Sequence, residues 1–379
     1  MSTRGRTLRV GTRGSALALR QAGAVKERLE SRRCEVELVE VETTGDRVRD
    51  ELIHRLGKTG AFVRDLDEEV LDGDLDAAVH SMKDMPTEMP EDLVVAGVPE
   101  RGPARDLLLS PDGTAPADLP AGATVGTSSL RRRAQLLADR PDLTVEPLRG
   151  NVDTRVEKLL APSLQREHQR RVEAEEESEA DGESADSSDG DTGTDGDEDR
   201  PDYDRTAQEW FEDLAEIERR ALERELDVEY DAVVLAEAGL ERSGLLHHVA
   251  HHRFQPGEFV AAPGQGALAV TARDGEVATA VRDAIDHPPT RVETTVERTV
   301  LAELGGGCVA PVGIHAVLQG PVVRTAVRVL DREGDEEVRA TRELPAERHR
   351  EAAREFAADL ADRGAADLIE RARRDADGA

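Results

Sequence analysis

Nine short apolar runs of four to seven residues, many of them separated by helical patterns, constrain this chain more than any other feature. They are "TLRVG" 7–11, "VELVEV" 36–41, "DAAVH" 76–80, "LVVAGV" 93–98, "DLLLS" 106–110, "ATVG" 123–126, "LTVEPL" 143–148, "DAVVLA" 231–236 and "GALAVTA" 266–272. Helical patterns at 15–31, 62–72, 128–139 and 153–160 lie between several of them. The alternation predicts α/β units with mostly parallel sheets. After about residue 310 the pattern changes to a strand pair, "GIHAVLQ" and "VVRTAVRVL", and one long helix near 346–373. That helix would place Ala353, Phe356, Ala357, Leu360 and Ala361 on one face, giving a small α+β unit at the C-terminal end. A length of 379 residues suits two or three such domains.

Charge narrows the function. The formal net charge is −31, a field that repels phosphate, so nucleic acid is not an expected partner. Between Glu173 and Asp199 there are 14 acids and no base, yet setting them aside still leaves −17. Only four lysines occur (Lys26, Lys58, Lys83, Lys158), so nearly all the cations are arginine. An acidic, arginine-rich surface suits a halophilic protein whose self-repulsion is screened by salt. The segment 173–204 has few apolar residues and is expected to be mostly disordered, within an insertion spanning 161–228. Behind it, "AQEWFEDLAEIERRALEREL" (207–226) reads as one docked helix with Trp210, Leu214, Ile217 and Ala221 inward. No apolar run approaches the ~20 residues of a membrane span, and "MSTRGRTLRVGTRG" has no apolar signal region. The two cysteines have no metal or disulfide spacing, so no metal is expected and the cytoplasm is the expected compartment.

Three strand-to-helix junctions are dressed for an anion. "VGTRGSALALRQ" offers Arg13 and Ser15; "VGTSSLRRRAQLL" offers Thr127, Ser128, Ser129, Arg131, Arg132 and Arg133; "LRGNVDTRVEKLL" offers Arg149, Gly150, Asn151, Thr154 and Arg155. Free N–H groups at a helix start attract anions, whereas the helix dipole disfavours cations there. Arginines at that end therefore call for an anionic ligand, and their forks suit carboxylates. No complete phosphate-loop or dinucleotide fingerprint is present. "DAAVHSMKDMPTEMP" ends a strand with His80, Ser81, Lys83 and Asp84, a polar cluster dense enough for an active site. "AELGGGCVAPVG" sets Cys308 directly after three glycines, leaving room beside the sulfur for a disulfide, a metal, a reacting group or something tethered. "HHVAHH" (247–252) could chelate a metal were it helical, since its histidines fall four apart. Cys34 reads as a small core or edge residue. A two-domain receptor for a small anion would explain the arginines, though neither Cys308 nor Asp84.

"HSMKDMP", "GTSSLRRR", "LRGNVDTR", "APGQGAL" and "GGGCVAPVG", in this order, resemble the porphobilinogen deaminase (hydroxymethylbilane synthase) family over nearly the whole chain outside 161–228. The resemblance implies two periplasmic-binding-protein-like α/β domains with a cleft between them, plus a small α+β domain. Domain one would take 1–99 with 267–287, domain two 105–260 and domain three 288–379. It implies a dipyrromethane cofactor on the sulfur of Cys308, onto which four porphobilinogen units are joined before the linear tetrapyrrole hydroxymethylbilane is released by hydrolysis. Asp84 matches the family's catalytic aspartate, steadying the cations formed as each unit loses ammonia and couples. Arg13, Ser15, Ser81, Lys83, Thr127, Ser128, Ser129, Arg131, Arg132, Arg149, Gly150, Arg155 and Gln265 would line the site for cofactor and growing oligopyrrole chain, with Phe62 above it as a lid. The product would pass to uroporphyrinogen-III synthase, from an enzyme working as a monomer. One departure is clear: "RLGKTGAFVRDL" has Arg55 and Thr59 where the family often has two lysines, with Lys58 shifted by one. Arginine keeps the charge; threonine does not.

Overall fold

The structure, a computed structural model, describes residues 7–30, 35–42, 61–185, 203–307 and 310–377. Three sheets organise it. The first has the order β2-β1-β3-β10-β4, built from Glu35–Val41, Thr7–Arg13, Ala77–Ser81, Leu268–Arg273 and Leu93–Gly97. The second has the order β7-β6-β8-β5-β9, from Thr144–Glu146, Thr124–Gly126, Ala232–Ala236, Asp106–Leu109 and His251–Arg253. The third is β11-β12-β13, from Val312–Gln319, Val322–Leu330 and Glu337–Pro345, all antiparallel.

The first two sheets follow one plan. In each, a central strand pairs in parallel with two neighbours, and one strand arriving from the other half inserts antiparallel. The sheets are therefore mixed, where alternation of strand and helix alone predicted mostly parallel ones. The reason lies in the crossovers: the chain leaves the first sheet after β4 and enters the second as β5, then returns as β10. A strand entering from outside a βαβ unit is free of the parallel constraint.

The two α/β cores are aliphatic, as the scarcity of aromatics demands. Leu8, Val10, Val25, Leu29, Val270 and Val281 fill the first, against the helices Ala16–Glu30 (α1) and Glu276–Ile285 (α8). Leu107, Leu109, Leu159, Tyr230 and Leu235 fill part of the second. In the α+β domain Ile314, Val323, Val327 and Phe356 pack between the sheet and the helices Pro288–Glu303 (α9) and His349–Asp362 (α10).

Several expectations change. The single C-terminal helix is two, α10 and Ala365–Asp377 (α11), broken at Gly364 with φ +98°. Strand β13, with charges at Glu337, Arg339, Arg342 and Glu343, was not legible as a strand. The helix starting at Val152 (α4) continues to Ala185, so 173–185 are helical rather than disordered; 186–202 lie outside the described residues. Glu and Ala are good helix formers, and the helix also leans on a later part of the chain: Arg171 sits over the rings of Tyr203 and Trp210, 4.1 and 5.2 Å from their centroids. The predicted helix 207–226 is two short ones, Ala207–Asp213 (α5) and Glu216–Leu222 (α6), each opened by a Glu reaching back to its cap. His251 and His252 lie in strand β9, so the helical metal pairs do not form. Among the described residues no group of three or more His, Cys, Asp or Glu is placed to hold a metal, and no helix is long and apolar enough to cross a membrane. Cys34, Arg55, Lys58, Thr59 and Cys308 lie outside the described residues.

Both crossovers and the third sheet meet at one buried carboxylate. Glu297, on α9, is fully buried. Its Oε1 accepts from Arg101 Nη1 (2.8 Å) and the Ala316 amide (2.8 Å); its Oε2 accepts from Arg101 Nη2 (3.1 Å) and the Gly264 amide (2.6 Å). Arg101 belongs to one crossover, Gly264 to the other and Ala316 to β11. Burial pushes the Glu297 carboxyl up, but Arg101 and His315 outweigh it and hold it below its ordinary 4.5. Its contribution to stability is therefore complete above that value and is lost as pH falls below it. Truncating Glu297 to Ala leaves Arg101 charged and buried, so unfolding free energy should fall by about 3–5 kcal/mol. Denaturant unfolding at constant salt measures this; a midpoint like that of the wild type would contradict it.

Candidate functional site

Ligands of open α/β sheets gather at the carboxyl ends of the strands, and the sequence-predicted residues lie there. Arg13 ends β1, and Ser15 opens α1, its Oγ accepting from the Ala18 amide at 3.3 Å. Ser81 ends β3, and the next turn, Met82–Asp84, carries Lys83 and Asp84. Lys83 Nζ donates to Asp84 Oδ1 at 2.7 Å, with both side chains part-exposed. His80 differs from its neighbours: it points into the core, bonded at 3.0 Å to both Asp67 Oδ1 and Thr271 Oγ1. Strand alternation explains this, since Ser81 must face the other way.

The second cluster follows β6. Thr127 is buried, and its Oγ1 accepts from the Ser129 amide at 3.2 Å. Ser128 donates to the Leu148 carbonyl at 2.7 Å. Ser129 caps the helix Leu130–Asp139 (α3), its Oγ accepting from the Arg132 amide at 3.4 Å. Thr127 and Ser128 thus shape the turn, while the Ser129 hydroxyl keeps its proton to donate.

Arg131 and Arg132 are both buried and share one anion, Asp106 at the start of β5. Arg131 Nη2 donates to Asp106 Oδ2 at 2.7 Å, and Nη1 to the Val260 carbonyl at 2.7 Å. Arg132 donates to Asp106 Oδ1 from Nη2 (2.8 Å) and Nε (3.1 Å), and to the Val234 carbonyl from Nη1 (3.0 Å). Gln265 Nε2 adds a further bond to Asp106 Oδ1 at 2.9 Å and one to the Ala104 carbonyl at 2.7 Å. Burial pushes the Asp106 carboxyl up, yet the two guanidiniums outweigh it and hold it below its usual range. The anion that sequence reasoning sought for these arginines is thus partly the protein's own. It cannot neutralise both, and Arg131 Nε is buried with no hydrogen-bond partner.

Arg149 and Gly150 lead into α4 from β7, Arg155 lies in its first turns, and Arg155 Nε donates to the Gly150 carbonyl at 2.8 Å. Burial first, then Arg132, push the Arg155 pKa down to about 10. Among the described residues no carboxylate pairs with it. The start of α4 faces the start of α1 across a cavity of about 330 Å³, lined by Ala16, Leu17 and Arg20 on one side and Asn151, Val152 and Asp153 on the other. Arg13 and Arg149 precede these two helix starts but do not themselves line the cavity. Ala215, Glu216, Ile217 and Arg220, from α6 and its cap, line the same cavity. Phe62 lies in the first turn of the helix Ala61–Asp72 (α2).

Gln265 sits between two glycines that tie the site together. Gly264 has φ +75°, and a Cβ there would lie 2.6 Å from Met82 Cγ and 3.1 Å from the Lys83 amide nitrogen. Gly266 has φ +83°, and its Cβ would meet the Gly102 carbonyl at 2.6 Å, so the crossovers touch backbone to backbone. Sequence reasoning found Gln265 but missed Asp106, Arg101 and Glu297. Asp106 reads as the polar lip of an apolar strand, and nothing local marks its burial.

Known proteins share this pattern. Residues 8–166 and 215–280 match a family model described as porphobilinogen deaminase, dipyromethane cofactor binding domain, and residues 292–362 match its C-terminal domain. A probable porphobilinogen deaminase of Halobacterium salinarum is 58% identical over 391 aligned residues, covering 97% of this chain and 99% of the relative. A porphobilinogen deaminase of Desulforudis audaxviator is 38% identical over 369, covering 96% and 97%. Among solved structures, the methionine binding protein MetQ is 12% identical with a TM-score of 0.33, covering 73% of this chain and 89% of that one, a likeness too slight to carry an argument.

Gly264→Ala should strain the Met82–Asp84 turn and lower turnover by about tenfold or more, at a stability cost of about 1–3 kcal/mol. Steady-state kinetics beside thermal unfolding separates the two effects; wild-type turnover would show that the close approach is unimportant.

Proposed function

The chain belongs to the porphobilinogen deaminase family, and from that premise we propose how its own residues carry out the family's reaction: condensation of four porphobilinogen units, with loss of ammonia, and release of hydroxymethylbilane. The family's cofactor is a dipyrromethane, a two-ring pyrrole bearing carboxylate side chains. The residues present fit such a group: a buried donor, Arg131 Nε, lacks an acceptor, and two arginines share one carboxylate. When bound, the dipyrromethane supplies the free pyrrole carbon that accepts the first unit and stays with the protein after release.

The attachment point is Cys308. The three glycines before it leave the end of α9, and the Ala310 amide donates to the Gly307 carbonyl at 3.3 Å. Arg131, Arg132 and Arg155, with Ser129, hold carboxylates of cofactor and substrate as charge-assisted bonds. Arg13, Ser15, Ser81, Lys83 and Arg149 extend this lining along the cleft; Thr127, Ser128, Gly150 and Gln265 shape it. Phe62 closes over it. Asp84 offers its carboxylate to the positive carbon that porphobilinogen develops as ammonia leaves, and to the proton lost after coupling. Lys83, at 2.7 Å, holds that carboxylate in place and meets a substrate carboxylate with its remaining donors. A preorganised charge of this kind is often the largest catalytic contribution. The enzyme works as a cytoplasmic monomer and passes its product to uroporphyrinogen-III synthase.

The observation that carries this reading is the buried pair Arg131 and Arg132, two cations sharing one carboxylate, with Arg131 Nε left without an acceptor. Such a group binds an anion strongly because its desolvation cost is already met by the fold.

Two measurements test it. The intact mass of the purified chain should exceed the sequence mass by one dipyrromethane, and Cys308→Ala should lack that increment. An unmodified Cys308 in an active preparation rejects the attachment. Asp84→Ala should stay folded but turn over about a hundredfold more slowly or worse. Turnover near that of the wild type removes Asp84 from the chemistry.

A further inference from the structure

Taking Arg131 and Arg132 as the carboxylate holders of the proposed function, on which this inference rests, we propose that Asp106 is their positioning residue. Its buried carboxylate aims both guanidiniums and locks them to the two interdomain crossovers, without touching substrate itself.

The geometry is specific. Asp106 is fully buried, so no ligand reaches it, and four donors surround its two oxygens: three from the arginines and one from Gln265. Each guanidinium is held from a second direction by a backbone carbonyl, Val260 for Arg131 and Val234 for Arg132. A planar fork fixed on two sides has one orientation, so its remaining N–H groups are aimed before a ligand arrives. Two buried guanidiniums adjacent in sequence repel each other and are poorly solvated. With no anion between them they would swing toward water. With two anions they would have no charge left for a ligand. One anion for two cations leaves a net positive charge and the orphaned Arg131 Nε.

Asp106 also sets where the pair sits. It is the first residue of β5, directly after the crossover segment that carries Arg101. Gln265, in the returning crossover, joins Asp106 through its side chain and accepts from Arg101 Nε at its carbonyl (2.8 Å). Arg101 in turn pairs with Glu297 on α9, the helix that runs into the glycines before Cys308. The relay Asp106–Gln265–Arg101–Glu297 thus refers the arginine pair to the domain of the attachment loop.

Asp106→Asn is nearly isosteric, but it removes the charge and turns one oxygen into a donor facing donors. We expect the fraction of chains carrying the dipyrromethane to fall. In the loaded fraction, KM for porphobilinogen should rise about tenfold or more with kcat within about threefold, the pattern for lost ground-state binding. If Asp106 only stabilises the fold, the variant melts earlier while loading and both constants per loaded chain stay at wild type; that result overturns the proposal. Arg131→Gln, measured alongside, separates the two layers. Unchanged loading and KM there would reject the carboxylate-holding reading itself. Impairment there, with none in Asp106→Asn, would reject only the positioning role. Should Asp106→Asn not fold, the loaded wild-type enzyme gives the answer by NMR. The Arg132 Nε proton, bonded to Asp106, should exchange with water at least about tenfold more slowly than those of surface arginines. Exchange at the surface rate would overturn the proposal.

Discussion

One buried carboxylate shared by two buried guanidiniums sets the electrostatics on which the site depends. Removing an ion from water costs several kcal/mol even after relaxation, and Asp106, Arg131 and Arg132 all incur it. Their close hydrogen bonds offset that cost only in part, because the charges do not balance. The fold tolerates the imbalance because both cations also meet backbone carbonyls. The consequence is a buried cluster with one net positive charge and one donor, Arg131 Nε, left unpaired. In the proposed function, a carboxylated pyrrole restores that balance and a neutral molecule of the same shape does not.

Topology supplies the rest. Two α/β domains of one strand plan are joined by two crossovers that press together at Gly102 and Gly266. The two domains are thereby tied together at that contact. In the proposed function, a product that grows by four units needs room between the domains, and hinge movement about paired crossovers is the ordinary way to provide it. Glu297 adds the third domain to the same junction through its bonds to Arg101, Gly264 and Ala316. Residues 167–214, which include the rest of α4 and all of α5, lie between the two stretches that the family model matches. Just after it, Arg220 and Arg224 both pair with Glu157 on α4, two residues from Arg155.

Much of this was legible in the sequence, for physical reasons. Strands such as β5 and β8 are short, apolar and bounded by breakers, and the side-chain period shows through. Candidate site residues stood out because arginines at helix starts contradict the helix dipole, a local conflict that an anion relieves. What sequence could not show is pairing between distant segments. Asp106 and Arg131 are 25 residues apart, and Arg101 and Glu297 are 196 apart. Neither member of such a pair carries a local mark of burial. The same limit hid β13, whose four charges in nine residues resemble a loop until its pairing with β12 is known. The acidic stretch misled in the opposite direction: composition argued for disorder, while helix propensity and the contacts of Arg171 with Tyr203 and Trp210 carry the helix to Ala185.

The central claim is that the Asp106 cluster is a carboxylate seat that the fold leaves one anion short. A crystal structure of the enzyme with its dipyrromethane in place tests it most directly. The account predicts a pyrrole carboxylate oxygen within about 3.2 Å of Arg131 Nε, with Asp106 still bridging both arginines. A loaded enzyme in which that nitrogen stays unpaired, with the pyrrole carboxylates held elsewhere, would contradict it.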